Sequence, residues 1–302
     1  MLIEVFIPTY NHEKFIKKAL QNVVNQQTNH QYSIVISDDC STDNTVKEIE
    51  HFIVSNKTNS ITFLKQDKNV GIMENYYRYL NQTDADIILF CEGDDYWFDK
   101  SKLQKEVDFL KNNENCGVVF CAINNMEHQT EKILSVRGDV GKKGAYYLKD
   151  ILPHNTLNTL SAVAIKNVLK HNYPKWYTQC NTPDGPLYFI SLGDKYYIQY
   201  LDFIGTNYRS TGGIWSRLNK IEQQKSSIET YQILLKNMDD KVKKYCKQSI
   251  LKSLLTLAKE YRKEDFSKSL NYCKKVISYP YFGWKKLVYI FALPLVLINI
   301  FD

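Results

Sequence analysis

The chain has 302 residues, 44% hydrophobic and 24% charged, the balance of an ordinary globular protein with room for one large or two smaller domains. Its seven cysteines are scattered with no CxxC pair, and its six histidines show no metal-ligand spacing, which argues against a disulfide framework or a zinc site and for reduced thiols. The net charge of +6 is uneven: from Arg217 onward 17 Lys and Arg face 8 Asp and Glu, leaving 22 against 25 in residues 1–216, so the basic C-terminal third is expected to meet an anionic surface, a membrane rather than nucleic acid.

The N-terminus enters an apolar strand at once, Leu2-Ile3-Glu4-Val5-Phe6-Ile7-Pro8, without the layout of a secretory signal, so a cytoplasmic protein is expected. That strand ends at Pro8-Thr9-Tyr10-Asn11. Phe15, Ile16, Ala19, Leu20, Val23 and Val24 then recur at helical spacing and predict a helix over about 13–26. A β-branched strand over 32–37 stops at Asp38-Asp39-Cys40-Ser41-Thr42-Asp43-Asn44-Thr45, which is turn and helix-capping chemistry, and a helix follows over 46–55. A third strand, 61–64, leads to Lys68-Asn69-Val70-Gly71 and a helix over 73–80. A fourth, Asp86 to Phe90, delivers Cys91-Glu92-Gly93-Asp94-Asp95-Tyr96-Trp97. Two adjacent carboxylates after a buried strand are costly unless a cation meets them. Gly93 is expected to permit a sharp turn there. One of Tyr96 and Trp97 is expected in the core, the other in the core or against a sugar.

Four strand–helix alternations predict an α/β fold: a Rossmann-like, mostly parallel sheet with helices on both faces. In such sheets ligands bind at the carboxyl ends of the strands. Pro8-Thr9, Asp38-Asp39, Lys68-Asn69 and Asp94-Asp95 all fall at those ends.

Taken together, Ile7-Pro8-Thr9-Tyr10-Asn11, Ser37-Asp38-Asp39-Cys40-Ser41-Thr42-Asp43-Asn44-Thr45, Asn69-Val70-Gly71 and Glu92-Gly93-Asp94-Asp95 resemble the inverting family 2 glycosyltransferases of the GT-A fold. The resemblance is strong over residues 1–100 and weaker to 217. It implies a UDP-sugar donor, with Pro8, Thr9 and Tyr10 beside base and ribose and Asp39 on the uracil ring, whose N–H a carboxylate can accept. Asp38 and Asp39 are expected to divide helix capping and uracil binding between them; Asp43 and Thr45 read as cap and turn. Lys68 and Asn69 would lie beside the nucleotide. Asp95 would ligate Mg²⁺ or Mn²⁺, and Asp94 would sit nearer the ribose or donor sugar.

Beyond the acidic motif, a helix over 102–111 and a buried strand over 117–122 are expected, then an irregular loop over 129–149 and an apolar strand over 161–165. Asp184, just before the apolar helical stretch Leu187-Tyr188-Phe189-Ile190-Ser191, matches the general base of the resembling family; capping that helix is its other reading, and Asp194 and Asp202 are the fallback bases. His154 lies on the acceptor side. Tyr208-Arg209-Ser210-Thr211-Gly212-Gly213-Ile214-Trp215 resembles the segment that closes over the diphosphate, with Arg209 on phosphate and Trp215 on a sugar.

The C-terminal third carries apolar stripes at helical spacing, Ile228, Tyr231, Leu234 and Leu235, then Ile250, Leu251, Leu254, Leu255 and Leu257, and predicts antiparallel helices. Trp284-Lys285-Lys286 introduces an apolar run broken by Pro294. It is too short to span a bilayer and is expected to lie at a membrane interface or to pack on protein. The expected organisation is a GT-A domain over 1–217, a helical extension over 218–283 and an apolar tail over 284–302. The expected enzyme moves a hexose or N-acetylhexosamine to a hydroxyl of a glycan, lipid-linked at the inner face of the cytoplasmic membrane. The rivals are a non-catalytic nucleotide-sugar or glycan-binding module and a metal-dependent nucleotidyltransferase. The latter should carry a glycine-rich basic loop where Pro8-Thr9-Tyr10-Asn11-His12 stands.

Overall fold

The structure is a computed structural model that describes residues 1–56, 60–138, 144–151, 157, 159–193, 195–210, 213–281 and 290. It divides into one unit of residues 1–148, 156–178 and 182–213 and a second of 149–155, 179–181 and 214–302.

The first unit begins with strict alternation: β1 (Ile3–Thr9), α1 (Ile16–Val24), β2 (Ser33–Asp38), α2 (Thr45–Ser55), β3 (Ser60–Lys65), α3 (Ile72–Gln82) and β4 (Ile87–Phe90). Strands β1 to β4 run parallel in the order β3-β2-β1-β4. β1, β2 and β4 read as continuous apolar runs because both faces are covered. Period-two side chains separate the faces. Val5, Ile7, Ile34, Ile36, Ile87 and Leu89 join Ile16, Leu20 and Val23 of α1 in one buried cluster. Phe6 points the other way and stacks on Tyr79 of α3, ring centroids 3.8 Å apart, while Tyr76 of α3 meets Phe6 and Phe90.

The chain continues through β5 (Tyr96–Trp97), α4 (Lys102–Asn112), β6 (Cys116–Met126), β7 (Ile133–Arg137), β8 (Ala145–Tyr146), α5 (Leu148–Ile151), β9 (Val163–Lys166), α6 (Asp184–Leu192) and β10 (Tyr197–Arg209). Antiparallel β9 joins β4 to β6, β10 runs parallel to β6, and β5 pairs antiparallel with β10. The fold class read from the sequence is therefore the one observed, a mixed α/β sheet of GT-A type. The second half of the sheet is less regular than its parallel first half. The stretch 129–149, expected to be an irregular loop, carries β7 on the edge of β6 and β8 against β10. Residues 139–143 lie outside the described residues, as do His154, Asp194 and Thr211-Gly212.

The second unit holds α7 (Ile214–Arg217), α8 (Lys220–Asn237), α9 (Asp240–Glu264) and α10 (Phe266–Ser278). Asn219 and Glu222 form a reciprocal capping box at the start of α8. The apolar stripes meet as expected: Ile250, Leu251, Leu254, Leu255 and Ala258 of α9 cluster with Cys273 and Val276 of α10, and Ile228, Tyr231 and Leu235 of α8 pack on them. Among the described residues no helix is long and apolar enough to cross a membrane. The expected tail, 284–302, lies outside them apart from Ile290.

Candidate active site

Parallel pairing brings the polar strand ends together. Thr9 stands opposite Asp38 in the β1–β2 register, and Phe6 opposite Phe90 in β1–β4. The chain past β4 keeps following β1: Cys91 N–H donates to Phe6 O and Gly93 N–H to Pro8 O, each at 3.0 Å. Gly93 is required here for closeness rather than for a sharp turn. A Cβ on it would stand 2.7 Å from His12 Nδ1 and 2.8 Å from Thr9 Oγ1.

The two aspartates at the end of β2 divide their work. Buried Asp38 accepts from Ser41 N–H (2.7 Å) and Ser41 Oγ (2.5 Å) and so closes its own turn. Asp39 reaches across to the next strand end: Oδ1 accepts from Val70 N–H at 2.7 Å and Oδ2 from Gly71 N–H at 2.8 Å. Gly71, at φ +84°, occupies the left-handed region as it opens α3. A carboxylate has about four acceptor sites, so Asp39 keeps capacity after these two bonds. Its burial pushes its pKa up, opposed by those N–H groups. Asp43 accepts from Thr45 N–H and Oγ1, the turn role expected of both residues. Thr9 is buried, Tyr10 is 41% exposed, and Lys68 and Asn69 are exposed.

The acidic loop is held from two sides. Glu92 N–H donates to Ser161 Oγ and Thr159 Oγ1 donates to Glu92 Oε2, each at 2.9 Å. From β10, Arg209 N–H donates to Asp95 Oδ1 at 2.9 Å. Asp95 is 1% exposed, and among the described residues its buried Oδ2 has no hydrogen-bond partner. Burial, then the charges of Asp94 and Glu92, push Asp95 well above the carboxylate range; the Ser161 hydroxyl and Arg209 N–H oppose that. Glu92 is pushed up to about 8 by burial and by Asp94. Asp94 is half-buried, and its carboxylate has no hydrogen bond among the described residues. Trp97 is core: its Nε1 donates to Phe90 O and Ser161 O at 3.1 Å. Tyr96 is half-buried beneath Lys18, whose Nζ lies 4.0 Å from the ring centroid.

Arg209 differs from expectation. Its side chain is 1% exposed, and its guanidinium donates to Asp94 O (2.6 Å), His128 O (2.9 Å) and Glu131 Oε1 (2.5 Å) over the Phe15 ring. It braces the acidic loop against the β6–β7 hairpin instead of presenting a cation to phosphate. Trp215 is 37% exposed and belongs to the second unit.

Asp184 is the first residue of α6, half-buried, and that helix has no side-chain cap. Its carboxylate has no hydrogen-bond partner among the described residues, so capping does not occupy it. Its charge bears on Glu92, Tyr76 and Tyr188. Asp202 is removed from this edge. It lies on β10 seven residues before Arg209, across two register shifts against β6, and it accepts from Tyr200 Oη at 3.1 Å. Two residues here escaped the sequence reading as site residues. Glu92 was visible only as part of an acidic motif, and Arg137 of β7, whose positive charge bears on Tyr188 and Tyr208, sat in the presumed loop.

Open α/β sheets take their ligands at the carboxyl ends of their parallel strands, which is the edge where these carboxylates stand. Residues 4–165 match the family described as Glycosyl transferase family 2, and the chain belongs to that family. It is 37% identical over 112 residues to the dTDP-rhamnosyl transferase RfbG of Shigella flexneri, a match covering 36% of this chain and 38% of that protein. The matched segment spans about a third of the length of the curated relatives it resembles (32% and 38% for two of them). Among solved structures, TarS of Staphylococcus aureus in complex with UDP-GlcNAc superposes with TM-score 0.62 at 17% identity, covering 93% of this chain and 82% of that one. The mannosyltransferase PcManGT of Pyrobaculum calidifontis with GDP-Man and Mn²⁺ gives 0.62 at 14% identity, covering 98% and 80%.

Proposed function

We propose that this protein transfers a hexose or N-acetylhexosamine from a UDP-sugar to a hydroxyl of a glycan acceptor, with inversion at the anomeric carbon. The observation that carries the reading is Asp184 at the head of α6, its carboxylate without a hydrogen-bond partner among the described residues and its charge bearing on Glu92. In one displacement the acceptor oxygen attacks C1, Asp184 takes its proton, and the bond from C1 to the diphosphate oxygen breaks. No covalent intermediate is needed. Asp39 would accept the pyrimidine N–H on its remaining lone pairs, with Thr9, Tyr10, Lys68 and Asn69 around the nucleotide. Asp94 faces the ribose or donor sugar.

The orphaned Oδ2 of Asp95 fits a hard divalent cation, Mg²⁺ or Mn²⁺, with Asp95 as the protein ligand and the diphosphate supplying further oxygens. When bound, such an ion neutralises charge on the departing diphosphate. Among the described residues no three His, Cys, Asp or Glu side chains gather into a metal cluster, which fits a cation shared with the substrate. UDP-GlcNAc bound to TarS and Mn²⁺ bound to PcManGT support these choices by likeness of fold. RfbG, named for dTDP-rhamnose, is also consistent with Asp39, since thymine offers the same N–H as uracil.

Purified protein with Mg²⁺ or Mn²⁺ should release UDP from one member of a panel of UDP- and dTDP-sugars. Asp184→Asn should abolish transfer while UDP affinity stays within twofold. Full transfer by that variant removes Asp184 as the base. The basic C-terminal third and the 284–302 tail further support peripheral binding at the inner face of the cytoplasmic membrane, beside a lipid-linked acceptor. Deleting 284–302 should release the protein into the soluble fraction, and unchanged fractionation rules out the tail as anchor.

A further inference from the structure

Ser161 is completely buried, in the short 3-10 turn Leu160–Ala162 that leads into β9, and the displacement itself gives it no role. Its hydroxyl and its carbonyl are both engaged around the acidic loop. That loop is a tight turn, closed by Asp95 N–H donating back to Glu92 O at 2.9 Å, with Gly93 and Asp94 between them. Ser161 Oγ accepts from Glu92 N–H at 2.9 Å and so holds the turn at its first residue. A hydroxyl that accepts one bond keeps its own proton to give, and Ser161 directs it to the Asp95 carboxyl at the end of the turn. The Ser161 carbonyl accepts from Trp97 Nε1 at 3.1 Å and from Thr206 Oγ1 at 2.8 Å. Trp97 and Thr206 stand opposite each other where β5 pairs with β10. One buried residue thus ties together the start of the turn, its exit through β5, and β10.

The consequence falls on Asp95. Arg209 N–H occupies Oδ1, and the buried Oδ2 has no hydrogen-bond partner among the described residues. A ligand oxygen has to be held within about 0.5 Å of its working place by the residues around it. We propose that Ser161 is a positioning residue for cation binding: its hydroxyl and carbonyl fix the Glu92–Asp95 turn so that Asp95 Oδ2 stands ready for Mg²⁺ or Mn²⁺. This rests on the cation reading of Asp95 given above. Removing a group that orients a metal ligand without touching the metal typically costs about 10- to 100-fold in metal affinity.

The test measures Mn²⁺ binding directly, from loss of the free-ion electron paramagnetic resonance signal in the presence of UDP, for wild type, Ser161→Ala and Thr206→Val. Ser161→Ala is expected to weaken Mn²⁺ binding about 10- to 100-fold, with UDP affinity in EDTA as in wild type and kcat for UDP release restored at saturating Mn²⁺. Thr206→Val removes one donor to Ser161 O and keeps the side-chain shape. It should weaken Mn²⁺ binding in the same sense, and it carries the test should Ser161→Ala not fold. Unchanged Mn²⁺ affinity in the folded variants, with losses confined to Tm or to kcat at saturating metal, overturns the proposal and leaves Ser161 a packing role. So does an equal loss of UDP affinity in EDTA. A wild type that takes up no Mn²⁺ with UDP yet releases UDP from a donor overturns the cation reading and this proposal with it, and leaves glycosyl transfer standing. A wild type that binds Mn²⁺ with UDP but releases UDP from no donor overturns glycosyl transfer alone.

Discussion

Gly93→Ala tests whether the acidic loop is placed by its contact with β1. The added methyl would meet Thr9 Oγ1 at 2.8 Å, Thr9 Cβ at 2.9 Å and His12 Nδ1 at 2.7 Å, against an ordinary contact of about 3.5–4 Å. Thr9 is 3% exposed and its carbonyl is engaged by Asp39 N–H at 3.0 Å, so the strand end cannot yield cheaply. The loop must lift by roughly half an ångström or more, stretching the bond from Gly93 N–H to Pro8 O. Overpacking of this kind costs about 1–3 kcal/mol. The larger effect falls on chemistry, because Asp94 and Asp95 move with the loop and a misplacement near 1 Å can cost about 10²-fold in rate. Calorimetric Tm and kcat/KM from UDP release should fall together for Gly93→Ala. Wild-type Tm and activity in Gly93→Ala would refute the close-approach argument.

Arg209→Met should destabilise the first unit by about 3–5 kcal/mol, because Asp94 O and His128 O lose a buried charged donor and Glu131 its partner; if instead only UDP affinity falls and Tm holds, Arg209 is a phosphate contact after all. Stability should also depend on pH through Glu106, which burial pushes up to about 7 although Lys102 Nζ donates to it at 2.6 Å with both side chains fully buried. Its folded pKa exceeds the ordinary 4.5, so the native state holds the proton more tightly. The stability this gives is complete below about pH 4.5 and is lost as pH rises through about 7, on the order of 3 kcal/mol. Denaturant titrations of wild type and Glu106→Gln from pH 4.5 to 8 check this, and identical slopes for the two proteins would exclude Glu106 as the titrating group.

The parallel half of the sheet was legible because each strand is an apolar run closed by a polar cluster, and β1, β2 and β4 fall within two residues of expectation. β10 was not. Its pairing with β6 shifts register between Leu201 and Ile204 and again before Thr206, which breaks the period-two pattern a strand is read by. β7 escaped for a different reason: its five residues are all exposed, so it has no buried face to alternate with. At the site, residue type was a good guide to location and a poorer one to role. Asp39 and Asp38 both read as carboxylates at a strand end, and only the bonds to Val70, Gly71 and Ser41 tell them apart. Arg209 read as a phosphate ligand because its segment resembles the one that closes over the diphosphate. Its partners lie about 80 and 115 residues away in sequence, at His128, Glu131 and Asp94, where no local pattern reaches.

That brace also bears on what the edge can bind. Arg209 is the cation covalently nearest the segment expected to close over the diphosphate, and its charge is directed to Glu131, which Lys18 also pairs. Glu92 and Asp95 are both pushed up, by burial first and then by the charge of Asp94 between them in sequence. On the proposed reading a nucleoside diphosphate would bring more negative charge to the same place, and a divalent ion between the two would make cation and nucleotide binding mutually dependent. Arg209, bonded to Asp94 O, His128 O and Glu131 behind the loop, spends its charge on Glu131 rather than on the loop's own carboxylates.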